Sequence, residues 1–136
     1  TDLVENKYQG WLPDSVEEVR DYIINMPKTM DIADICFQFA IFLTDEKRLI
    51  GDMGISFTNH DNMQAEIGCT LHKDYKGQGY AIEALNGMVD FLFETLNKHR
   101  IIASVDPRNT VSIRLIERLG FRKEAHFKES CYLRGE

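Results

Sequence analysis

Between Met63 and Asn97 the hydrophobic period of the chain changes from two to 3.6, and a glycine-rich loop marks the change. Met63, Ala65, Ile67, Cys69 and Leu71 alternate with Gln64, Glu66, Gly68, Thr70 and His72. Such alternation describes a half-buried β-strand, because successive side chains point to opposite faces. From Tyr80 to Asn97, the residues Ala81, Ala84, Leu85, Met88, Val89, Leu92, Phe93 and Leu96 fall on one broad helical face. The join between strand and helix is Lys76-Gly77-Gln78-Gly79-Tyr80-Ala81. Its glycines let a ligand approach the main chain, and the first amides of a helix have no acceptor inside it. Those donors and the helix dipole favour an anion, most naturally a phosphate or pyrophosphate, and Lys76 adds a cation at the mouth.

The flanking chain supplies the rest of a sheet. Ser15 is placed to cap a helix that runs to about Asn25, with Glu18 completing a capping box and Pro27 stopping it. Cys36 to Thr44 and Arg48 to Thr58 read as extended, divided by the turn Thr44-Asp45-Glu46-Lys47 and closed by Asn59-His60-Asp61-Asn62. That is the pattern of antiparallel hairpins. After the long helix come a short buried strand from Ile101 to Val105, a turn at Asp106-Pro107-Arg108 and an amphipathic helix from Thr110 to Leu119. Gly120 is placed to end this helix in the left-handed conformation, and Phe121 opens another extended segment. Hairpins followed by β–α–β–α–β predict an α/β fold with a mixed sheet, not a purely parallel one.

A chain of 136 residues suits one domain, 1–136. Its net charge is −6 with scattered basic residues, which disfavours duplex nucleic acid, since phosphate neutralisation needs clustered Lys and Arg. The acidic balance is compatible with a cationic substrate such as an amine. Every apolar run is interrupted within a few residues, so no membrane span is expected, and no secretion signal opens the sequence. Cys36, Cys69 and Cys131 are odd in number and far apart, and two of them sit inside apolar stretches, as reduced core thiols of a cytoplasmic protein would. No Cys or His pair has zinc spacing, because His60, His72, His99 and His126 are isolated, so no metal is expected.

The identity of the phosphate ligand can be narrowed. Walker A is absent, and the dinucleotide fingerprint needs a small residue where Ile82 stands. Asp106 follows the next strand, roughly where a ribose-binding acid sits in dinucleotide folds. The strand before the loop alternates, however, whereas the first strand of such a fold is buried on both faces. The loop is similar to Arg/Gln-x-x-Gly-x-Gly/Ala, the signature of the GNAT superfamily of N-acetyltransferases, with Lys76 as the departure. Tyr80-Ala81-Ile82-Glu83-Ala84 resembles the branch that acetylates ribosomal-protein N-termini. Further on, Asp106-Pro107-Arg108-Asn109-Thr110-Val111-Ser112 and Leu119-Gly120-Phe121 resemble that branch's second motif, Asn-x-x-Ser, a helix, then Leu-Gly-Phe. The resemblance runs from about Trp11 to Tyr132 and is most specific from Gln64 to Phe121.

That resemblance implies the GNAT fold: a mostly antiparallel sheet with a central β-α-β-α-β segment and flanking helices, its usual first and last strands missing from this stretch. It implies acetyl-CoA as co-substrate, and the amine of a protein N-terminus, a polyamine or an antibiotic as acceptor. A primary amine has a pKa of about 10 and must lose a proton before it attacks. Glu66, the acid of the alternating strand, resembles the branch's base, although an exposed strand glutamate would look the same. Ser112 resembles the branch's proton donor or relay, while the bland alternative is a first-turn serine bonded to the backbone. Tyr132 is a second candidate acid. The pyrophosphate falls to Lys76, Gly77, Gln78, Gly79, Tyr80 and Ala81 by the same resemblance, and the pantetheine arm to the strand edge at Cys69, Thr70 and Leu71. Asn109 caps the second helix and, in the family, the matching residue also contacts the cofactor. Tyr8, Trp11 and the Ser15 helix are placed to roof the acceptor, with aromatic core packing as the alternative. A non-catalytic acyl-CoA-binding regulatory module on the same fold is the rival function. The chain is expected to be a monomer, or a homodimer through an exposed sheet edge.

Overall fold

The computed structural model describes residues 7–9, 13–58 and 61–130. Helix α1 spans Val16–Asn25 and begins where Ser15 Oγ accepts from the Glu18 amide at 3.0 Å. Glu18 answers by accepting from the amide of Asp14, at 2.7 Å, so the capping box closes one residue earlier than the sequence pattern implies. No residue of α1 is buried.

Strands β1 (Cys36–Leu43), β2 (Arg48–Thr58) and β3 (Gln64–Leu71) form an antiparallel meander, and β4 (Arg100–Ile102) adds parallel to β3. The strand order is β1-β2-β3-β4. Helix α2 (Tyr80–Asp90) crosses between β3 and β4, and helix α3 (Thr110–Arg118) follows β4. The mixed α/β sheet is therefore the one anticipated from hairpins followed by an alternating segment.

One face of the sheet makes the core. Phe37, Met53, Ile55, Phe57, Ala65 and Ile67 meet Leu85 and Leu92 on the α2 side, with Leu115 and Leu119 of α3 closing on the same cluster. Phe37 and Phe57 pack edge to face, with ring centroids 6.3 Å apart. Burying side chains of this size contributes about 1.5–3 kcal/mol each. The alternating face of β3, carrying Glu66, Gly68 and Thr70, looks away from that cluster.

A polar clip closes the end of the sheet where β3 begins. Lys98 is 5% exposed, and its ammonium pairs with the Asp31 carboxylate while donating to the Asn62 carbonyl at 2.5 Å. Asn62 Nδ2 donates to Asp31 Oδ1 at 2.8 Å and to the Asp31 carbonyl at 3.0 Å. The Lys98 ammonium also lies 4.8 Å from the centroid of Phe57. Segments leading into β1, β3 and β4 are thus held at one point.

Several elements differ from expectation. The long helix stays regular only to Asp90 and then widens into a π turn at Phe91–Thr95, where the Leu96 amide bonds to the Phe91 carbonyl. The extra residue in that turn rotates the chain beyond it. Phe93 is left 43% exposed at the rim of a cleft of about 170 Å³ lined by Val89, Ile101, Leu119, Gly120 and Phe121. β4 stops at Ile102 instead of Val105, because its ladder to β3 ends at Glu66, where the two strands part. Among the described residues, 121–127 pair with no strand; their run Arg122-Lys123-Glu124 is polar on both faces, and Glu124 pairs with Arg100. Met63 precedes the strand and is 41% exposed, and Cys36 is an exposed free thiol at the strand start, not a core thiol. Cys131 lies outside the described residues. Gly120 does take the left-handed conformation, with φ 87°, and ends α3.

Candidate active site

β3 is bonded to β2 along its whole length, from Gln64↔Thr58 to Leu71↔Gly51, but to β4 only from Gln64↔Arg100 to Glu66↔Ile102. Past that rung the two parallel strands part. Ile67, Gly68, Cys69, Thr70 and Leu71 therefore carry ladder bonds on one side only, and their other edge opens into a groove. The sequence pointed to the last three of these. Ile67 and Gly68 were missed, and Gly68 was the available signal: it sits exposed in a strand interior, and a Cβ there would meet no atom within 4 Å. Side chains divide by parity. Leu71 is buried and Cys69 half-buried on the core side, so only main-chain groups of these residues are offered to a ligand.

At the end of β3 a short turn, Lys73–Tyr75, leads into the glycine loop. Gln78 Nε2 donates to the Asp74 carbonyl at 2.7 Å, which folds the loop back on the turn and commits that side chain to structure. Gly77 and Gly79 have φ of 74° and 91°, and Gly79 is the N-cap of α2 without any side-chain cap. The first bond into α2 runs from the Glu83 amide to the Gly79 carbonyl at 3.1 Å. Among the described residues, the amides from Gly77 to Ile82 have no backbone acceptor. A Cβ on Gly77 or Gly79 would meet no protein atom within 4 Å, so the space beside these amides is not taken by the chain itself. Lys76 is exposed beside them, and Tyr80 and Ala81 are half-buried in the first turn. The Tyr80 ring lies 6.3 Å from Tyr75. Uncapped amides, left-handed glycines and an adjacent cation fit a pyrophosphate.

Beyond β4, Asn109 caps α3, its Oδ1 accepting from the Ser112 amide at 3.2 Å. Ser112 is half-buried in the first turn of α3, which presents Leu115 and Leu119 to the core. Asp106 is not directed at a ribose. Its carboxylate accepts from the Arg108 amide at 2.8 Å and grips the Arg108 guanidinium through bonds of 2.8–3.2 Å. The hydrogen bonds from Arg108 hold the Asp106 carboxyl down at about 2. Glu66 is half-buried, opposite Ser56 on β2 and Ile102 on β4. It stands at the apex of the groove, five positions up the strand from Leu71 and so roughly 17 Å from it. Burial, reinforced by the charge of Asp52, pushes the Cys69 thiol up to about 11. A thiol of that kind is not a nucleophile at neutral pH.

The open edge of β3 thus runs from Glu66 toward the 76–81 loop, and the chain that leaves β4 leads to the cap of α3. Trp11 and Tyr132 lie outside the described residues. Tyr8 lies 5.9 Å from the Arg108 guanidinium. Among the described residues, no group of three or more His, Cys, Asp or Glu is placed to hold a metal ion, and no helix is long and apolar enough to cross a membrane.

Residues 2–122 match the acetyltransferase (GNAT) domain family. The [ribosomal protein uS5]-alanine N-acetyltransferase of Escherichia coli is 33% identical over 101 residues, 74% of this chain, and the match spans about half, 52%, of that enzyme. A GNAT-family acetyltransferase structure from Bacillus anthracis superposes with a TM-score of 0.85 at 29% identity, covering 99% of this chain and 76% of that one. Spermidine N-acetyltransferase from Vibrio cholerae, solved with CoA and spermine, shares the fold with a TM-score of 0.82 at 24% identity, covering 98% and 77%. With the family's domain matched along nearly the whole chain and its fold reproduced, the chain belongs to the GNAT superfamily of N-acetyltransferases.

Proposed function

We propose that this chain transfers the acetyl group of acetyl-CoA to a primary amine by direct attack, with Glu66 as general base. The observation that carries the reading is the parting of β3 from β4 just beyond Glu66, which leaves an unbonded strand edge leading to the open amides of α2. Pantetheine carries amides that can bond such an edge as an added strand does. The loop amides of residues 77–82, with Lys76, take the pyrophosphate. The acetyl thioester then falls near Glu66, and acetyl-CoA supplies there an acyl carbon already activated toward nucleophiles.

Glu66 accepts a proton from the ammonium of the acceptor, whose lone pair then forms the C–N bond. An amide of the free β3 edge donates to the developing oxyanion. As the C–S bond breaks, the departing thiolate needs little help, since its conjugate acid has a pKa of about 8.5. Ser112, at the head of α3, relays to it the second proton that the acceptor nitrogen releases as the amide forms, so the sulfur leaves as the thiol of CoA. Asn109 holds that head in place through its cap and has an amide NH₂ left for the cofactor. The high pKa of Cys69 argues against an acetyl-cysteine intermediate and for direct transfer.

For the acceptor we favour a protein N-terminus first and a polyamine second, the amine classes named for the Escherichia coli and Vibrio cholerae relatives. The test is calorimetry of the full chain with CoA, NAD and ATP, followed by thiol release from acetyl-CoA with alanine-initiated peptides, spermidine and an aminoglycoside. CoA should bind tightest, and at least one amine should raise thiol release above background. Tighter binding of NAD or ATP would end the cofactor assignment. CoA binding with no amine-dependent release would favour a non-catalytic acyl-CoA module.

A further inference from the structure

Residues 7–9 lie across the groove, and nothing in the proposed reaction uses them. On one lip, Gln9 Nε2 donates to Thr70 Oγ1 at 2.8 Å. Thr70 belongs to the part of β3 that β4 has left, on the same face of the strand as Glu66 and Gly68. On the other lip, the Tyr8 ring receives the Arg108 guanidinium at 5.9 Å from its centroid, within cation–π range. Lys7 approaches the same ring to 5.5 Å and adds its positive charge to the field on Asp106. Tyr8 and Gln9 are adjacent, so a stretch of main chain spanning at most about 7 Å joins two lips that no strand ladder connects.

The second anchor is itself fixed. Asp106 accepts from both the amide and the guanidinium of Arg108, so the fork cannot swing away from its turn. Arginine held as a fork presents a flat face for an aromatic ring, which a lysine at the same place would not do. We infer that Tyr8 and Gln9 form a strap closing the Glu66 face of the groove, and that Arg108 is the positioning residue that holds it. Resting on the proposal that acetyl-CoA lies in the groove, this gives the strap a specific role. It screens the β3 edge from water and slows escape of the molecule lying along it. The cofactor would occupy the edge between the strands and the strap the face above it, so both can be present together.

Hydrogen exchange of the 136-residue chain, read peptide by peptide, tests this. In Gln9→Leu, Tyr8→Leu and Arg108→Gln, amides of residues 67–71 should exchange at least about tenfold faster, while those of β2 keep their wild-type rates, since local opening and global unfolding separate in exchange. Tyr8→Phe keeps the ring and should match wild type. Calorimetry should show CoA bound about three- to tenfold more weakly by Tyr8→Leu and not by Tyr8→Phe, as expected when a preorganised wall is lost. Unchanged exchange at 67–71 in both Gln9→Leu and Tyr8→Leu would overturn the strap. So would equal acceleration through all strands, which marks general loosening. If wild-type protein fails to bind CoA at all, the cofactor reading falls, while the exchange data from the protein without CoA still decide whether the strap exists.

Discussion

Glu66 stands opposite Ile102 at the last rung that joins β3 to β4, and beyond that rung the strands separate. The position has two consequences. A side chain on β3 at this level is held rigidly by ladders on both sides, to Ser56 on β2 and to Ile102 on β4. One residue further on, the same strand has an open edge. Glu66, the proposed base, and the edge proposed for the cofactor are therefore adjacent but do not compete for the same main-chain groups.

If Glu66 is the base, Glu66→Gln should leave CoA affinity unchanged and lower turnover at neutral pH by about 10²- to 10⁴-fold, the usual contribution of general base catalysis. Turnover should recover in part as pH rises toward the pKa of the free amine. Steady-state rates from pH 6 to 10 with calorimetric CoA binding check this. Equal loss of binding and turnover would mean that Glu66 supports the groove and not the chemistry.

At Gly79, substitution acts on conformation and on ligand space together. The residue has φ 91°, and a Cβ there meets no protein atom. Gly79→Val should lose about 1–2 kcal/mol of stability to left-handed strain and should also lose CoA binding. Gly79→Asn tolerates the conformation better and should keep most of the stability while still weakening CoA. Urea unfolding beside calorimetry separates the two effects.

Asp106 gives a pH signature. Its folded-state pKa, held at about 2 by hydrogen bonds from Arg108, lies below the ordinary 3.8. Ionised Asp106 therefore favours the folded state, a contribution complete above about pH 4 and lost as pH falls through about 2. In Asp106→Asn the stability of the chain should vary less with pH between 4 and 2 than in wild type. Because the pair faces solvent, the difference should be small and should shrink in high salt. Denaturant midpoints measured across that pH range report it.

Lys98 is the residue whose loss should damage the fold most through charge. Removing it leaves the Asp31 carboxylate and the Asn62 carbonyl without their cation. Breaking such a buried pair from one side costs about 3–5 kcal/mol, and partial exposure of Asp31 puts Lys98→Ala near the lower end. A lowered urea midpoint with an unchanged slope is the expected result. An unaltered midpoint would mean that water replaces the ammonium without penalty.

Much of the architecture was legible because its causes are local. Alternation from Met63 to His72 predicts a strand, and Ala65, Ile67 and Leu71 are buried as that alternation requires. Ser15 and Asn109 cap their helices, and Gly120 closes α3, because each answers to amides or angles within four residues of itself. The glycine loop belongs to this class as well. Left-handed Gly77 and Gly79 and an uncapped helix start follow from the residues present.

Other features depend on residues that only the folded chain brings together. Arg100–Ile102 reads like a longer strand until β3 diverges, and only pairing decides where a strand stops. A lone lysine before a strand reads as solvated, yet Lys98 is buried because Asp31 and Asn62, distant in sequence, arrive to pair with it. The meeting of Gln9 with Thr70 has no periodicity to announce it. The amino-acid sequence by itself determined most of the elements, their caps and the open glycine loop, since these rest on backbone angles and on hydrogen bonds of short range. Tertiary structure decided the groove, the clip and the strap, since each exists only where strands that are remote in sequence come together or part.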